Sequence, residues 1–133
     1  MKIYLASPFF NSVERKRVQK IAELYRNMGH EVYVPMEHEV ENAWDLPNHI
    51  WGSKVFADDV NAIRECDRVI AILNYGMTDD AGTCWEIGFA YGLNKPIILY
   101  TDNSLQSLMV MNSICETYDI ETLNFNEKYI EQK

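Results

Sequence analysis

Carboxylates dominate the part of this sequence that could do chemistry. The run Asn74-Tyr75-Gly76-Met77-Thr78-Asp79-Asp80-Ala81-Gly82-Thr83-Cys84-Trp85-Glu86 is the richest stretch of the chain and ends on a glutamate. Placed in the first turn of a helix, Glu86 would meet free backbone amides and the positive end of the helix dipole, which favour the ionised form that a nucleophile requires. The same spacing, Thr83-x-x-Glu86, also matches a capping box, in which the glutamate only closes the helix start. On pattern alone both readings stand. Asp79 and Asp80 suit a turn equally well. A second acidic pair, Asp58-Asp59, follows Trp51, and Trp51 and Asp59 are eight positions apart. Two helical turns take ~7.2 residues, so both can face one side. Glu86, Asp80 and Asp59 around one cleft would be the usual equipment for chemistry at an anomeric carbon. Charged helix faces are more often plain solvated surface.

Other chemistries find little support. The loop Ala6-Ser7-Pro8-Phe9-Phe10-Asn11 has no glycine with which to bring backbone amides against a phosphate. Phe9 and Phe10 instead offer flat apolar surface for a nucleobase or sugar, although at least one of them is expected in the core. His30, His38 and His49 lack metal-ligand spacing, and no serine sits in a GxSxG-like elbow. Neither a metal nor a cofactor is expected. Cys84 could be acidified near a helix start, but it has no assignable histidine partner, so packing is its expected role.

The elements that must position these residues follow from periodicity. Short apolar runs recur at Ile3 to Ala6, Glu31 to Val34, Arg68 to Leu73 and Pro96 to Tyr100, with helically spaced segments between them. The first helix carries its stripe on Val13, Val18, Ile21, Ala22, Leu24 and Tyr25 and should stop near Met28, before Gly29. A second helix begins near Trp51 and carries Val55, Val60, Ile63 and Cys66. A third spans Gly82 to Leu93, a weaker one Ser104 to Cys115, and a fifth strand is expected over Glu121 to Phe125. This alternation predicts an α/β fold of flavodoxin-like, three-layer type, with a five-stranded parallel sheet in one domain over 1–133. Ligands of such sheets bind beyond the carboxyl ends of the strands, at loops beginning here with Ser7, Pro35, Asn74 and Thr101. The long connection from Pro35 to His49 is expected to serve as a lid or base-binding loop.

Twenty acidic against twelve basic residues give a net charge of -8, with a pI near 4.8. Such a surface repels a polyphosphate, so nucleic-acid polymers are excluded as expected partners. Three cysteines without CxxC spacing suggest neither a disulfide framework nor zinc. No apolar run approaches the ~20 residues of a membrane span, and the expected location is the cytoplasm.

Three segments together resemble a known family. These are Ile3-Tyr4-Leu5-Ala6-Ser7-Pro8-Phe9-Phe10, the stretch from Trp51 to Asp59-Val60-Asn61, and Asp80-Ala81-Gly82-Thr83-Cys84-Trp85-Glu86-Ile87-Gly88-Phe89-Ala90. In order, through about residue 112, they are similar to the bacterial nucleoside 2-deoxyribosyltransferases, enzymes of nucleotide salvage. Asp-x-Gly-x-x-x-Glu-x-Gly is the most specific part of the likeness. The resemblance implies that Glu86 attacks C1′ of a 2′-deoxynucleoside, that Tyr4 holds and tunes this nucleophile, and that Asp59 and Asp80 contact the base and help protonate it on leaving. Phe9, Phe10 and Trp51 would wall the cleft. The partners implied are small-molecule 2′-deoxynucleosides and free nucleobases, and a homo-oligomer, dimer or hexamer. Two departures stand out. Glu39 occupies a position where relatives commonly carry glutamine, and an acceptor-only carboxylate favours bases that present donors. The family's Asn-Leu-Met motif, which reaches a neighbouring subunit's sugar, appears as Ser107-Leu108-Met109, with Asn112 as a substitute donor.

Two rival readings remain. A 2′-deoxynucleoside 5′-monophosphate N-hydrolase would share the nucleophile but needs a glycine-rich first loop that this chain lacks. A non-catalytic nucleotide-binding module would share only the fold.

Overall fold

The computed structural model describes residues 1–38, 47–73, 80–102 and 107–121. Five strands, β1 (Lys2–Ala6), β2 (Glu31–Tyr33), β3 (Arg68–Ile72), β4 (Ile97–Thr101) and β5 (Glu116–Asp119), pair in parallel in the order β2-β1-β3-β4-β5. Four helices, α1 (Ser12–Asn27), α2 (Asn48–Glu65), α3 (Ala81–Gly92) and α4 (Leu108–Asn112), connect them, and a 3-10 turn covers Pro35–Glu37. The α/β architecture expected from periodicity is therefore present. The strand order changes direction between β1 and β3, where an open sheet of this kind leaves a crevice.

Two apolar layers sandwich the sheet. Ile3, Leu5, Val32, Ile70 and Ile72 pack with Val18, Ile21 and Ala22 of α1. Tyr4, Ala6, Val69, Ala71 and Leu99 pack on the opposite face with Ile63 of α2 and Ile87 and Ala90 of α3. Alternate residues of each strand thus enter opposite layers, as the pleat requires. The alternation directs Tyr4 toward α2 and α3 and its neighbours Ile3 and Leu5 toward α1.

Local signals set the helix ends. Asn11 caps α1 by accepting from the Glu14 amide, and Glu14 in return accepts from the Phe10 amide at 2.8 Å, a variant of the reciprocal cap. At the other end Gly29 adopts φ +92. The amides of Gly29 and His30 then donate to the Arg26 and Tyr25 carbonyls at 3.0 and 3.1 Å, closing a Schellman motif. Asn94, with φ 60, closes α3 in the same way before Pro96. The Lys95 ammonium donates to the Arg64 and Cys66 carbonyls, placing a cation at the negative end of α2.

Three boundaries differ from expectation. α2 begins at Asn48, with Pro47 preset just before it, so the helix is longer and the preceding connection shorter. α4 occupies only Leu108–Asn112 of the expected 104–115, and residues 103–106 lie outside the described set. The fifth strand is Glu116–Asp119, not 121–125, of which 122–125 lie outside the described residues. All four β5 residues are exposed, so no apolar alternation marked this edge strand. Its attachment comes from pairing with β4 and from the Tyr118 ring, 5.3 Å from that of Tyr100. Among the described residues no helix is long and apolar enough to cross a membrane.

Candidate active site

Tyr4 reaches the site from the middle of β1, fully buried, and its hydroxyl donates to Oε2 of Glu86 on α3. Eighty-two positions separate the two residues, and the contact exists because β1 and β3 are paired while α3 folds back over them. Glu86 stands six residues into α3, in the second turn and not the first. Asp80 is the N-cap residue of that helix, without a side-chain cap bond. The capping box over Thr83 and Glu86 is therefore not formed. The helix starts one residue earlier than its pattern suggested, Thr83 is buried inside it, and the Glu86 carboxylate turns to a phenol instead of a backbone amide.

Asp59 and Trp51 join Glu86 in lining a cavity of about 380 Å³ between α2 and α3. Val55, Phe56, Gly82 and Trp85 complete much of its wall. Trp85 is held between Phe56 and Phe89, with ring centroids 5.3 and 5.2 Å away. The result is an apolar slot lined by two carboxyl groups, Asp59 from α2 and Glu86 from α3, suited to a flat heterocycle and the sugar attached to it. A larger cavity of about 610 Å³ lies against β2 and the far half of α2, but neither Glu86 nor Asp59 lines it. Chemistry, not size, selects the smaller one.

Burial sets the electrostatics. Withdrawal from water lifts the Glu86 carboxyl to about 7, with the Asp59 charge adding to the rise and the Tyr4 hydrogen bond opposing it. Asp59 is lifted to about 6, chiefly by burial and then by Asp58, against the pull of His38 and of a hydrogen bond from Tyr33. Tyr4 is pushed far above the ordinary phenol range by burial, Glu86 and Asp59, and so stays a proton-bearing donor. Two carboxyl groups that titrate near neutrality in one cleft mark a functional site more than a structural ion pair. Cys84 moves the other way from an activated thiol, since burial and Asp80 both raise it. Among the described residues no group of three or more His, Cys, Asp or Glu is arranged to hold a metal ion.

The remaining sequence candidates divide. Asp80 is exposed at the start of α3 and does not line the cavity. Phe9 packs on the α1 side of the sheet, and Phe10, 60% exposed, stacks on it at 6.0 Å, so neither lines the slot. Ser107 and Asn112 are engaged within α4, Ser107 accepting from the Val110 amide and Asn112 donating to the Leu108 carbonyl. Asn112 borders a separate groove between α3 and α4. Glu39 and Asp79 lie outside the described residues. Sequence reasoning missed Val55, Phe56 and Trp85. The first could have been found, because it stands one helical turn from both Trp51 and Asp59.

Comparisons with known proteins identify the family of the chain. Residues 3–124 match the family model of nucleoside 2-deoxyribosyltransferases. A nucleoside deoxyribosyltransferase of Limosilactobacillus fermentum is 34% identical over 108 residues, which cover 74% of this chain and 63% of that protein. The match thus spans less than two thirds of that relative's length. Among solved structures, a 2-deoxyribosyltransferase of Bacillus psychrosaccharolyticus superposes with a TM-score of 0.83 at 32% identity, over 98% of this chain and 96% of the other. A CMP N-glycosidase of Clostridium botulinum shares the fold, with a TM-score of 0.62 at 22% identity over 99% and 97% of the two chains.

Proposed function

Because the chain belongs to the nucleoside 2-deoxyribosyltransferase family, we propose that it moves 2-deoxyribose from one nucleobase to another through a covalent ester on Glu86. The observation that carries this reading is the convergence of Glu86, held from behind by its phenol donor Tyr4, and the partly buried Asp59 on one apolar slot. In the first step a Glu86 oxygen bonds to C1′ as the bond from C1′ to the base nitrogen breaks, and Asp59 gives its proton to the departing base. In the second step a nitrogen of the incoming base bonds to C1′, the ester bond breaks to release Glu86, and the incoming base returns a proton to Asp59. Two inversions leave the configuration retained.

Each side chain has a physical task. The Tyr4 hydroxyl favours negative charge on Glu86 and offsets part of the effect of its burial. With Glu86 at about 7 and Asp59 at about 6, the single proton of the pair rests mainly on Glu86 in the free site, and the reactive form, with Glu86 ionised and Asp59 protonated, is the minor one that a base accepting from Asp59 draws on. Trp51, Phe56 and Trp85 flank the base and restrict water, which would otherwise hydrolyse the ester. Asp80, exposed at the start of α3 and off the wall of the slot, takes no part in the proton transfer of this reading. Ser107 and Asn112 lie apart from the slot within one chain, so a sugar contact from them would come from a second copy. Leu108 and Met109, 79% and 82% exposed, give that copy an apolar surface to cover.

Incubation with deoxyinosine and adenine is expected to yield deoxyadenosine and hypoxanthine, and Glu86→Gln to abolish the exchange. Rapid quenching should leave deoxyribose on the Glu86 peptide by mass spectrometry. Release of free deoxyribose with no new nucleoside would instead make the protein an N-hydrolase, and binding without turnover a nucleoside-binding module.

A further inference from the structure

Trp85 is a large apolar residue that stays 48% exposed, yet two rings contact it. An indole left that open gains only part of the burial free energy that locks a core side chain, so its neighbours have to fix its orientation. Those neighbours form a ladder that crosses between two helices. Phe56 of α2 lies 5.3 Å from the indole, tilted by 56°, and Phe89 of α3 lies 5.2 Å from it, nearly parallel at 19°. Beyond stands the Arg64 guanidinium, 5.6 Å from the centre of the Phe89 ring, so α2 supplies both ends of the ladder and α3 its two middle rungs. Spacing explains the alignment. Trp85 and Phe89 are about one turn apart on α3, and Phe56 and Arg64 about two turns apart on α2, so each pair shares a helix face.

Phe56 and Trp85 line the slot beside Glu86 and Asp59, whereas Phe89 and Arg64 do not. The far half of the ladder therefore has no place in the reaction described above. Phe89 is half-buried against the layer that holds Ile87 and Ala90. A side chain needed only to fill space there could be leucine, whereas a ring parallel to the indole and faced by a cation fixes the tilt of that indole. We propose that Phe89, braced by Arg64, is a positioning residue that holds the Trp85 indole at the tilt on which the nucleobase stacks in the slot. This assignment rests on the transferase reading of the site. It gives the outer ladder a task in binding flat heterocycles and none in bond breaking, because both residues stand outside the lining that contains the two carboxyl groups.

Phe89→Leu keeps apolar volume and removes the ring. With deoxyinosine as donor substrate, KM is expected to rise about 5- to 10-fold while kcat stays within about twofold, the pattern of lost uniform binding. Phe89→Tyr, which keeps a ring beside the guanidinium, should retain the parent KM. A Glu86→Gln background separates binding from turnover. There the dissociation constant of deoxyinosine, read from quenching of tryptophan fluorescence, should also rise about 5- to 10-fold on adding Phe89→Leu. On a Trp85→Leu background, Phe89→Leu should raise KM no further. A parent-like KM or dissociation constant in Phe89→Leu, a fall in kcat at unchanged KM, a Phe89→Tyr variant as impaired as Phe89→Leu, or full additivity with Trp85→Leu would each overturn the assignment. Should Phe89→Leu fail to fold by circular dichroism, Arg64→Gln, an exposed change that takes the cation off the ladder, should still raise KM about twofold at unchanged kcat. An unmoved KM then overturns it. A parent without base exchange, or a Glu86→Gln variant that exchanges at the parent rate, defeats the reading of the site as a whole. An inert Glu86→Gln beside an unimpaired Phe89→Leu defeats the Phe89 assignment alone.

Discussion

Glu86 has to be both a sheltered group and an anion, and the two demands oppose each other. Burial favours its neutral form, and the Tyr4 hydroxyl restores part of the charged one. With Asp59 rising to about 6 and Glu86 to about 7, the two titrate as a pair, and the useful state holds one proton between them. Below this range both are protonated and the nucleophile is lost; above it both are ionised and the acid is lost. The kcat profile is therefore expected to be a narrow bell with its maximum between about 6 and about 7. Tyr4→Phe raises Glu86, the later of the two to lose its proton, and should therefore shift the alkaline limb upward and lower kcat by about 10- to 100-fold, read from initial rates of base exchange. The same burial affects stability. A carboxyl group raised on folding contributes most when protonated, and its contribution is lost as pH rises through the folded value. Glu86→Gln should accordingly be more stable than the parent at pH 8, by about 1–3 kcal/mol in urea unfolding, with the difference vanishing near pH 4. A destabilised variant at pH 8 would contradict the buried-anion account.

α3 does more than carry Glu86, because its first turn forms part of the slot. Gly82 lies there, and a Cβ built on it would meet nothing within 4 Å. No close approach within the chain demands glycine at this position, and in a helix glycine costs up to about 1 kcal/mol relative to alanine. Gly82→Ala is expected to raise the melting temperature by a few degrees while increasing KM for the donor nucleoside, since the added methyl occupies space beside the slot. A raised melting temperature with unchanged KM would place the sugar elsewhere. α2 contributes by length: beginning at Asn48, it carries Trp51, Val55 and Asp59 along one side over the sheet.

The whole molecule leaves an apolar surface on the side of α3 and α4. Leu108, Met109 and Tyr91 border a groove of about 430 Å³ and are well exposed. A net charge of -8 should keep unrelated chains apart, so a contact that forms here has to bury enough apolar area to overcome that repulsion. Leu108→Glu, outside the lining of the slot, is expected to reduce the mass observed by analytical ultracentrifugation and to raise KM for the nucleoside while leaving the circular dichroism spectrum unchanged. A parent that sediments as a monomer, or a variant that exchanges bases normally as a monomer, would show that one chain suffices.

Periodicity alone made the parallel sheet legible, along with the ends of α1 and α3 and the placement of Trp51 and Asp59 on one side of α2. All of these depend on residues within a few turns of one another, where the steps of 2 and 3.6 residues dictate which side chains share a face. Tertiary structure decided what local pattern leaves open. Thr83 and Glu86 carry the spacing of a cap, yet pairing of β1 with β3 brings Tyr4 to Glu86 and makes the glutamate the partner of a buried phenol. Phe9 and Phe10, neighbours in a promising loop, lie away from the slot, while Phe56 and Trp85, neither given a role from the sequence, form part of its wall. Strand β5 was invisible because an exposed edge strand needs no apolar alternation. A sequence specifies faces directly, but which faces meet depends on the register of strands far apart in the chain, and the meeting of Tyr4 with Glu86 is a product of that register.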